Sequence, residues 1–151
     1  WVYSLARDTV LLLRADVQLA DRPLVPLEQF GLGGIESVRG YRQDALLTDN
    51  GIFASAEVRI PIVRFSQRNS FLQLTPFFDV GTGWNRSGRS TSTNSEPEDN
   101  TLVSAGLGLR LQLENWLTAR LDWGIPIISI SSDQDTWQEN GLYFSIIVSP
   151  F

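Results

Sequence analysis

The sequence predicts an all-β fold, an antiparallel transmembrane β-barrel segment. Six stretches alternate apolar and polar residues with a period of two, the period that places successive side chains on opposite faces of a strand. Short and long connections alternate strictly between these stretches, as in barrels that have short periplasmic turns at one end and long external loops at the other. No stretch reaches the roughly 18 consecutive apolar residues that a membrane helix requires, which excludes a helical span.

The alternating stretches define six full strands and the end of another. One face of each strand is apolar and suited to lipid, and the other is polar and suited to a wet interior. In the third stretch, for example, Leu72, Leu74, Phe78 and Val80 oppose Gln73, Thr75 and Asp79. The expected strands are residues 9–21, 52–62, 71–83, 101–114, 116–125 and 142–151, preceded by a stub at 2–6.

The alternative is a soluble antiparallel sandwich or barrel, in which the apolar face would form an inner core. Connection lengths favour the membrane protein, because long connections are uncommon in a compact soluble domain. Aromatic residues near strand ends, including Trp84, Trp116 and Trp123, fit the girdles at a membrane interface. The short connections are 7–8, 64–69 and 114–116, and the long ones are 21–50, 85–100 and 126–140.

Composition excludes several classes of function. The formal net charge of −5 argues against nucleic acid as a partner, because phosphate binding requires a basic surface. Without cysteine or histidine, the chain lacks thiolate metal ligands, disulfides and the residues of a Ser-His-Asp or Cys-His site. The carboxylate pairs Asp133/Asp135 and Glu96/Glu98 read as solvated loop charge. We therefore expect no enzyme and no metal.

Residues 1–151 are expected to form one partial barrel domain. The chain contains no methionine and opens at Trp1, so we expect a mature product or a piece of a longer protein. Six strands and a stub are fewer than a closed barrel requires, since the smallest bacterial barrels have about 8 strands. The chain is therefore expected either to continue N-terminally or to borrow strands from another copy, because an unpaired edge in lipid is costly.

The longest connection, 21–50, carries the motif Val38-Arg39-Gly40-Tyr41 after the glycine pair Gly33-Gly34. This segment resembles the sixth external loop of the two-partner-secretion transporters, the hemolysin-activator and filamentous-hemagglutinin transporter family, which belongs with BamA to one superfamily. Residues 26–30, which precede this motif in the chain, resemble the corresponding segment of hemolysin activators in particular. The resemblance implies a loop folded back into a sixteen-stranded barrel, of which this chain would supply the C-terminal six to seven strands.

A second motif follows one hairpin later. Phe77, Asp79 and Gly81 match the family's aromatic-x-Asp-x-Gly pattern on the inner wall, and the alternation independently points Asp79 inward. The resemblance implies an ion pair between Arg39 and Asp79 in the lumen. Glu57 and Arg59 read as ordinary solvated lumen charges.

The resemblance implies a passive outer-membrane pore that exports a partner exoprotein in a Gram-negative-type bacterium, without nucleotide or cofactor. The sequence agrees in lacking a phosphate-binding glycine loop followed by Lys and Ser/Thr. Implied partners are the secreted exoprotein, the lipid bilayer and the outer-membrane assembly machinery, for which Phe151 resembles the C-terminal aromatic signal. The alternatives are an insertase of the BamA type and a small structural or ligand-binding barrel.

Overall fold

A computed structural model describes residues 1–5, 8–65, 70–86, 100–128 and 141–149. These residues form nine β-strands and, within these ranges, no helix. No helix in the described part of the chain is long and apolar enough to cross a membrane. The strands are β1 (Val2–Ser4), β2 (Val10–Gln18), β3 (Phe30–Leu32), β4 (Leu46–Thr48), β5 (Asn50–Arg64), β6 (Phe71–Trp84), β7 (Thr101–Leu113), β8 (Leu117–Pro126) and β9 (Leu142–Val148).

Seven of the strands form one antiparallel sheet in the order β1-β2-β5-β6-β7-β8-β9. Each strand pairs with the next one in this order, which confirms the all-β antiparallel class. The sheet is open, with β1 and β9 at its two edges. All six full strands that the alternation predicted are present, with ends that differ by a few residues from those expected.

β5 is 15 residues long and extends beyond the expected 52–62 at both ends. Near its end the register with β6 shifts between Pro61 and Val63. Proline has no N–H to donate to the ladder and is tolerated in strands at such bulges. The extra residue lets the strand run on past the proline without losing its pairing with β6.

The two faces of the sheet differ as expected. On the outer face, apolar side chains are exposed or half-exposed, and Phe144 is 78% exposed. The inner face carries the polar residues, and in one row Ser55, Asp79 and Ser104 stand side by side on β5, β6 and β7. The register therefore places the Asp79 carboxylate between two serine hydroxyl groups on the inner face.

The long connection between β2 and β5 lies on the inner face. It contains the short hairpin β3–β4, which alternation did not predict, because strands of three residues are too short to show a period. Part of the inner face beneath this loop is buried rather than open, because two apolar side chains of the wall pack against three of the loop. This buried cluster consists of Leu32, Val38, Tyr41, Phe53 and Leu102.

Several sequence-based expectations fall outside the described residues. Phe151, the expected assembly signal, is one of them. The carboxylate pairs in the connections 87–99 and 129–140 are others.

Candidate functional site

Arg39 stands at the tip of the loop, with its guanidinium on the carboxylate of Asp79. Arg39 Nε lies 2.7 Å from Asp79 Oδ2, and Nη2 donates to Oδ1 at 2.9 Å. The backbone N–H of Arg39 also donates to Asp79 Oδ2, at 3.2 Å. The two residues are 3% and 0% exposed. Two parallel bonds fix the plane of the guanidinium as well as its position, which lysine cannot do.

Two residues of β5 also contact the arginine. Arg39 Nη1 donates to Glu57 Oε2 at 2.7 Å, and Ser55 Oγ lies 3.3 Å from Nη2 and donates to Asp79 Oδ1 at 2.5 Å. Glu57 is 7% exposed, so its interpretation as a solvated lumen charge is wrong. It is buried because the loop closes over it, a long-range packing event that strand alternation cannot show.

Phe77 lies beneath the guanidinium, whose carbon is 3.5 Å from the ring centroid. The negative face of an aromatic ring attracts a cation, most strongly where water is excluded. The aromatic position of the second motif therefore contacts Arg39 as directly as Asp79 does. Gly106, opposite Phe77 on β7, leaves room for the ring, because an added Cβ would lie 2.2 Å from Phe77 Cζ.

The environment keeps Arg39 charged. Burial alone would lower the pKa of Arg39, but the hydrogen bonds and charges of Asp79 and then Glu57 outweigh burial and raise its pKa above the ordinary value. A buried charge that has lost its hydration must be paired, and removing one partner typically costs about 3–5 kcal/mol. The loop tip is therefore held by a permanent charge rather than by one that titrates near neutral pH.

Tyr41 binds the loop tip to the backbone of β7 and of the segment that follows β8. Its hydroxyl oxygen lies 2.8 Å from the Val103 carbonyl oxygen and 2.7 Å from that of Ile128, and it accepts the N–H groups of both residues at 3.2 and 3.3 Å. Val38, on the other side of the arginine, packs over Gly81, where an added Cβ would lie 2.9 Å from Val38 Cγ2. Val38 and Arg39 thus both contact β6, and Tyr41 contacts β7.

Gly40 contacts the wall through its backbone. Its φ is +99°, a conformation that strains any residue with a Cβ. It lies directly on Gly124 of β8, where an added Cβ would stand 2.6 Å from the Gly40 nitrogen. The Gly40 N–H donates to the Tyr143 hydroxyl at 3.2 Å, and that hydroxyl donates to the Tyr41 carbonyl. Gly33 and Gly34, expected at a tight bend, also have positive φ values, +107° and +95°.

The base of the loop is held by a second set of contacts that the sequence did not indicate. Asp49 is 3% exposed, and its carboxylate accepts the N–H groups of Leu24 at 2.9 Å and Arg86 at 3.0 Å. Asn50 Oδ1 accepts the N–H of Ala20 at 2.7 Å. These contacts tie the start of the loop to its end and to the end of β6. Among the described residues no group of three or more potential ligands is placed to hold a metal ion.

A family model, the Omp85 superfamily domain, matches residues 1–146. The chain belongs to the Omp85 superfamily. No curated protein matches the chain. Among solved structures, this Omp85 chain is similar to CdiB from Acinetobacter baumannii, with a TM-score of 0.63 and 25% sequence identity. The similarity covers 98% of this chain and 25% of CdiB, so the chain spans about a quarter of the length of that structure.

In this Omp85 chain, Asp79→Asn should release the loop tip. The amide keeps the shape of the carboxylate but places a donor against the donors of Arg39 and removes the charge that holds it. Trypsin should then cleave after Arg39, which mass spectrometry of the purified protein would map. Asp16→Asn is the control, since Asp16 pairs with Arg14 on an exposed surface. Continued protection of Arg39 in Asp79→Asn would contradict this description of the site.

Gly124→Ala should displace the tip without changing any charge. Its new methyl group would collide with the Gly40 backbone, which has little freedom to move while Arg39 is paired. We expect a lower midpoint of thermal unfolding and faster hydrogen exchange at residues 38–41. Ala119→Val adds bulk to the outer face of the same strand and should leave exchange in the loop unchanged. Equal exchange in the two variants would show that the glycine contact does not position the tip.

Proposed function

We propose that this chain is the C-terminal wall of an outer-membrane pore that exports a partner protein. CdiB is a two-partner-secretion transporter, and the Omp85 match and the CdiB similarity support an outer-membrane transport pore of the Omp85 type. In this proposal the seven-stranded sheet continues into a sixteen-stranded barrel, which removes the open edges at β1 and β9. The chain then works in the outer membrane of a Gram-negative-type bacterium.

The single observation that carries the proposal is a loop fastened to the polar face of an otherwise lipid-compatible sheet. Its tip is bound to β5 and β6 through Arg39, to β7 through Tyr41, and to β8 and β9 through Gly40. In this proposal the loop limits how much of the bore beside these strands is open.

The outer face supports membrane insertion. Its apolar side chains are exposed to a degree unusual for a soluble protein, in which large contiguous apolar patches are rare. Leu107, Leu109, Leu121 and Trp123 are each at least 40% exposed and adjacent on β7 and β8. Acyl chains would cover this surface without any change in the sheet.

The proposed transport is passive. The exported polypeptide passes beside the loop in an extended form, and the chain's own residues supply binding and positioning rather than catalysis. Further proposed contacts are with the bilayer at the outer face and with the assembly machinery at Phe151. Within the Omp85 superfamily the alternative is an insertase of the BamA type, which the secretion measurement below separates from a transporter.

Arg39→Ala in the full-length protein should abolish secretion of its exoprotein while leaving barrel insertion largely intact, because the sheet does not depend on the loop for its pairing. Arg39→Lys should restore it only in part, since one ammonium cannot make the two parallel bonds to Asp79. Exoprotein in the medium would be measured together with heat-modifiable mobility of the pore on gels.

The control for this measurement is Arg64→Ala, which removes an exposed arginine paired with Asp8 near the turns. Normal secretion by Arg39→Ala would remove the loop from the transport mechanism. Normal secretion combined with defective assembly of other barrels would favour the insertase.

Leu109→Arg should destabilise the folded protein in lipid vesicles by about 2–4 kcal/mol, the cost of a cation near the middle of a bilayer. Urea-induced unfolding of the reconstituted protein measures this cost. Gln112→Arg places the same side chain on the inner face of the same strand and should cost far less. A change within about 0.5 kcal/mol for Leu109→Arg, as on a water-exposed surface, would contradict membrane insertion.

A further inference from the structure

Three arginines stand on the inner wall on the turn side of the loop tip. Arg59 lies on β5, Arg110 on β7 and Arg120 on β8, and each is half-buried. Arg110 and Arg120 are directly opposite each other across the β7–β8 pair. Like charges in this position repel, and neighbouring side chains of one face stand only about 5 Å apart at Cβ. Such a pair is unfavourable unless anions offset it.

The nearby carboxylates are already engaged. Glu57 contacts Arg39 at 2.7 Å, Arg59 at 2.8 Å and Arg120 at 3.6 Å. Asp122 contacts Arg120 at 2.5 Å. Asp79 is occupied by Arg39, as described above.

The cluster of these four arginines and three carboxylates therefore has a positive excess. The four guanidiniums of Arg39, Arg59, Arg110 and Arg120 face the three carboxylates of Glu57, Asp79 and Asp122, so the net charge is 4 − 3 = +1. Among the residues that the structure describes, Arg110 has no hydrogen bond and no ion pair. This excess stands out in a chain whose formal net charge is −5.

The register places Arg110 in a polar row that crosses four strands. The row consists of Gln73 on β6, Arg110, Arg120 and Ser145 on β9. The next row towards the loop contains Gly108, and the side chains of Thr75 and Asp122 fill the space above this glycine. Arg110 itself is half-buried, so part of it is accessible from the inner space of the sheet, on the turn side of the Arg39 network.

We propose that this row, Gln73-Arg110-Arg120-Ser145, is a contact site for carboxylate side chains of the exported polypeptide. The inference rests on the proposed function, since only a transported chain would pass this part of the inner wall. Guanidinium groups bind carboxylates by charge-assisted hydrogen bonds, and Gln73 and Ser145 add neutral donors on either side. A half-exposed site binds such groups weakly, and weak binding lets a moving chain enter and leave.

The position of the row on the wall determines when a transported chain would meet it. With the short turns on the periplasmic side, a chain that enters from the periplasm meets the row before it meets the loop tip. Acidic segments would thus bind at the row, on the periplasmic side of the loop tip, while Arg39 still holds the loop against the wall. The row would favour acidic over basic segments, because the same charges that attract a carboxylate repel a lysine or an arginine.

The test measures binding of two unfolded peptides to the full-length protein in detergent at low salt. One peptide alternates Glu and Ser, and the other alternates Gln and Ser; fluorescence anisotropy gives the dissociation constants. The acidic peptide should bind more tightly, and Arg110→Gln should weaken its binding about fivefold while leaving the Gln peptide unchanged. Added salt should reduce the preference, because it screens exposed charges.

A second variant keeps the test decisive if Arg110→Gln folds poorly. Gln73→Glu places a carboxylate directly beside Arg110, so it should stabilise the protein and lower affinity for the acidic peptide. Arg64→Gln, at an exposed arginine already paired with Asp8, is the matched control and should bind like the wild type.

Two outcomes would overturn the proposal. One is equal affinity for the two peptides in the wild type, and the other is unchanged affinity for the acidic peptide in Arg110→Gln and Gln73→Glu. These results are separable from failure of the pore itself, because peptide binding does not require transport. Absence of any secretion by the full-length wild-type protein would count against the proposed pore, whereas the affinities of the two peptides test the row alone.

Discussion

The attachment of the loop depends on the buried side chain of Arg39, a residue that is 3% exposed. Because Arg39 cannot give up its proton at any ordinary pH, burying it requires carboxylates in fixed positions. The structure supplies them from two adjacent strands, Asp79 on β6 and Glu57 on β5. The position of the loop tip on the inner face follows from that requirement.

The wall accommodates the loop by omitting side chains where the loop touches it. Gly81, Gly106 and Gly124 lie on the inner face of three successive strands, and an added Cβ at each would meet the loop or the ring of Phe77 at under 3 Å. The backbone of the loop tip can therefore lie close to the wall while Arg39 reaches its carboxylates. Charge fixes where the loop tip sits, and the missing side chains let its backbone approach closely enough for the charge contact to form.

Much of this arrangement was accessible from the sequence. Strict alternation was sufficient for the six long strands and for the inward direction of Asp79, and the two motifs brought Arg39 and Asp79 together. Glu57 was misjudged because alternation gives the face of a residue but not what covers that face. Tyr143 and Gly124 lie on the correct face by phase, but they are more than 80 residues from the loop tip, and nothing local marks their contact with Gly40. The Arg110–Arg120 opposition follows only from register.

A double-mutant cycle on Arg39 and Asp79 tests the central claim most directly. Unfolding free energies would be measured in lipid vesicles for Arg39→Ala, Asp79→Ala and the double variant. Arg39→Ala leaves the Asp79 carboxylate buried without a cation, and Asp79→Ala leaves Arg39 without its bidentate partner and with Glu57 as its remaining carboxylate hydrogen-bond partner. We therefore expect each single change to cost about 3–5 kcal/mol and the double change to cost scarcely more than either. Costs that simply add would show that the two residues do not hold each other, and the loop would then be attached to the wall by something else.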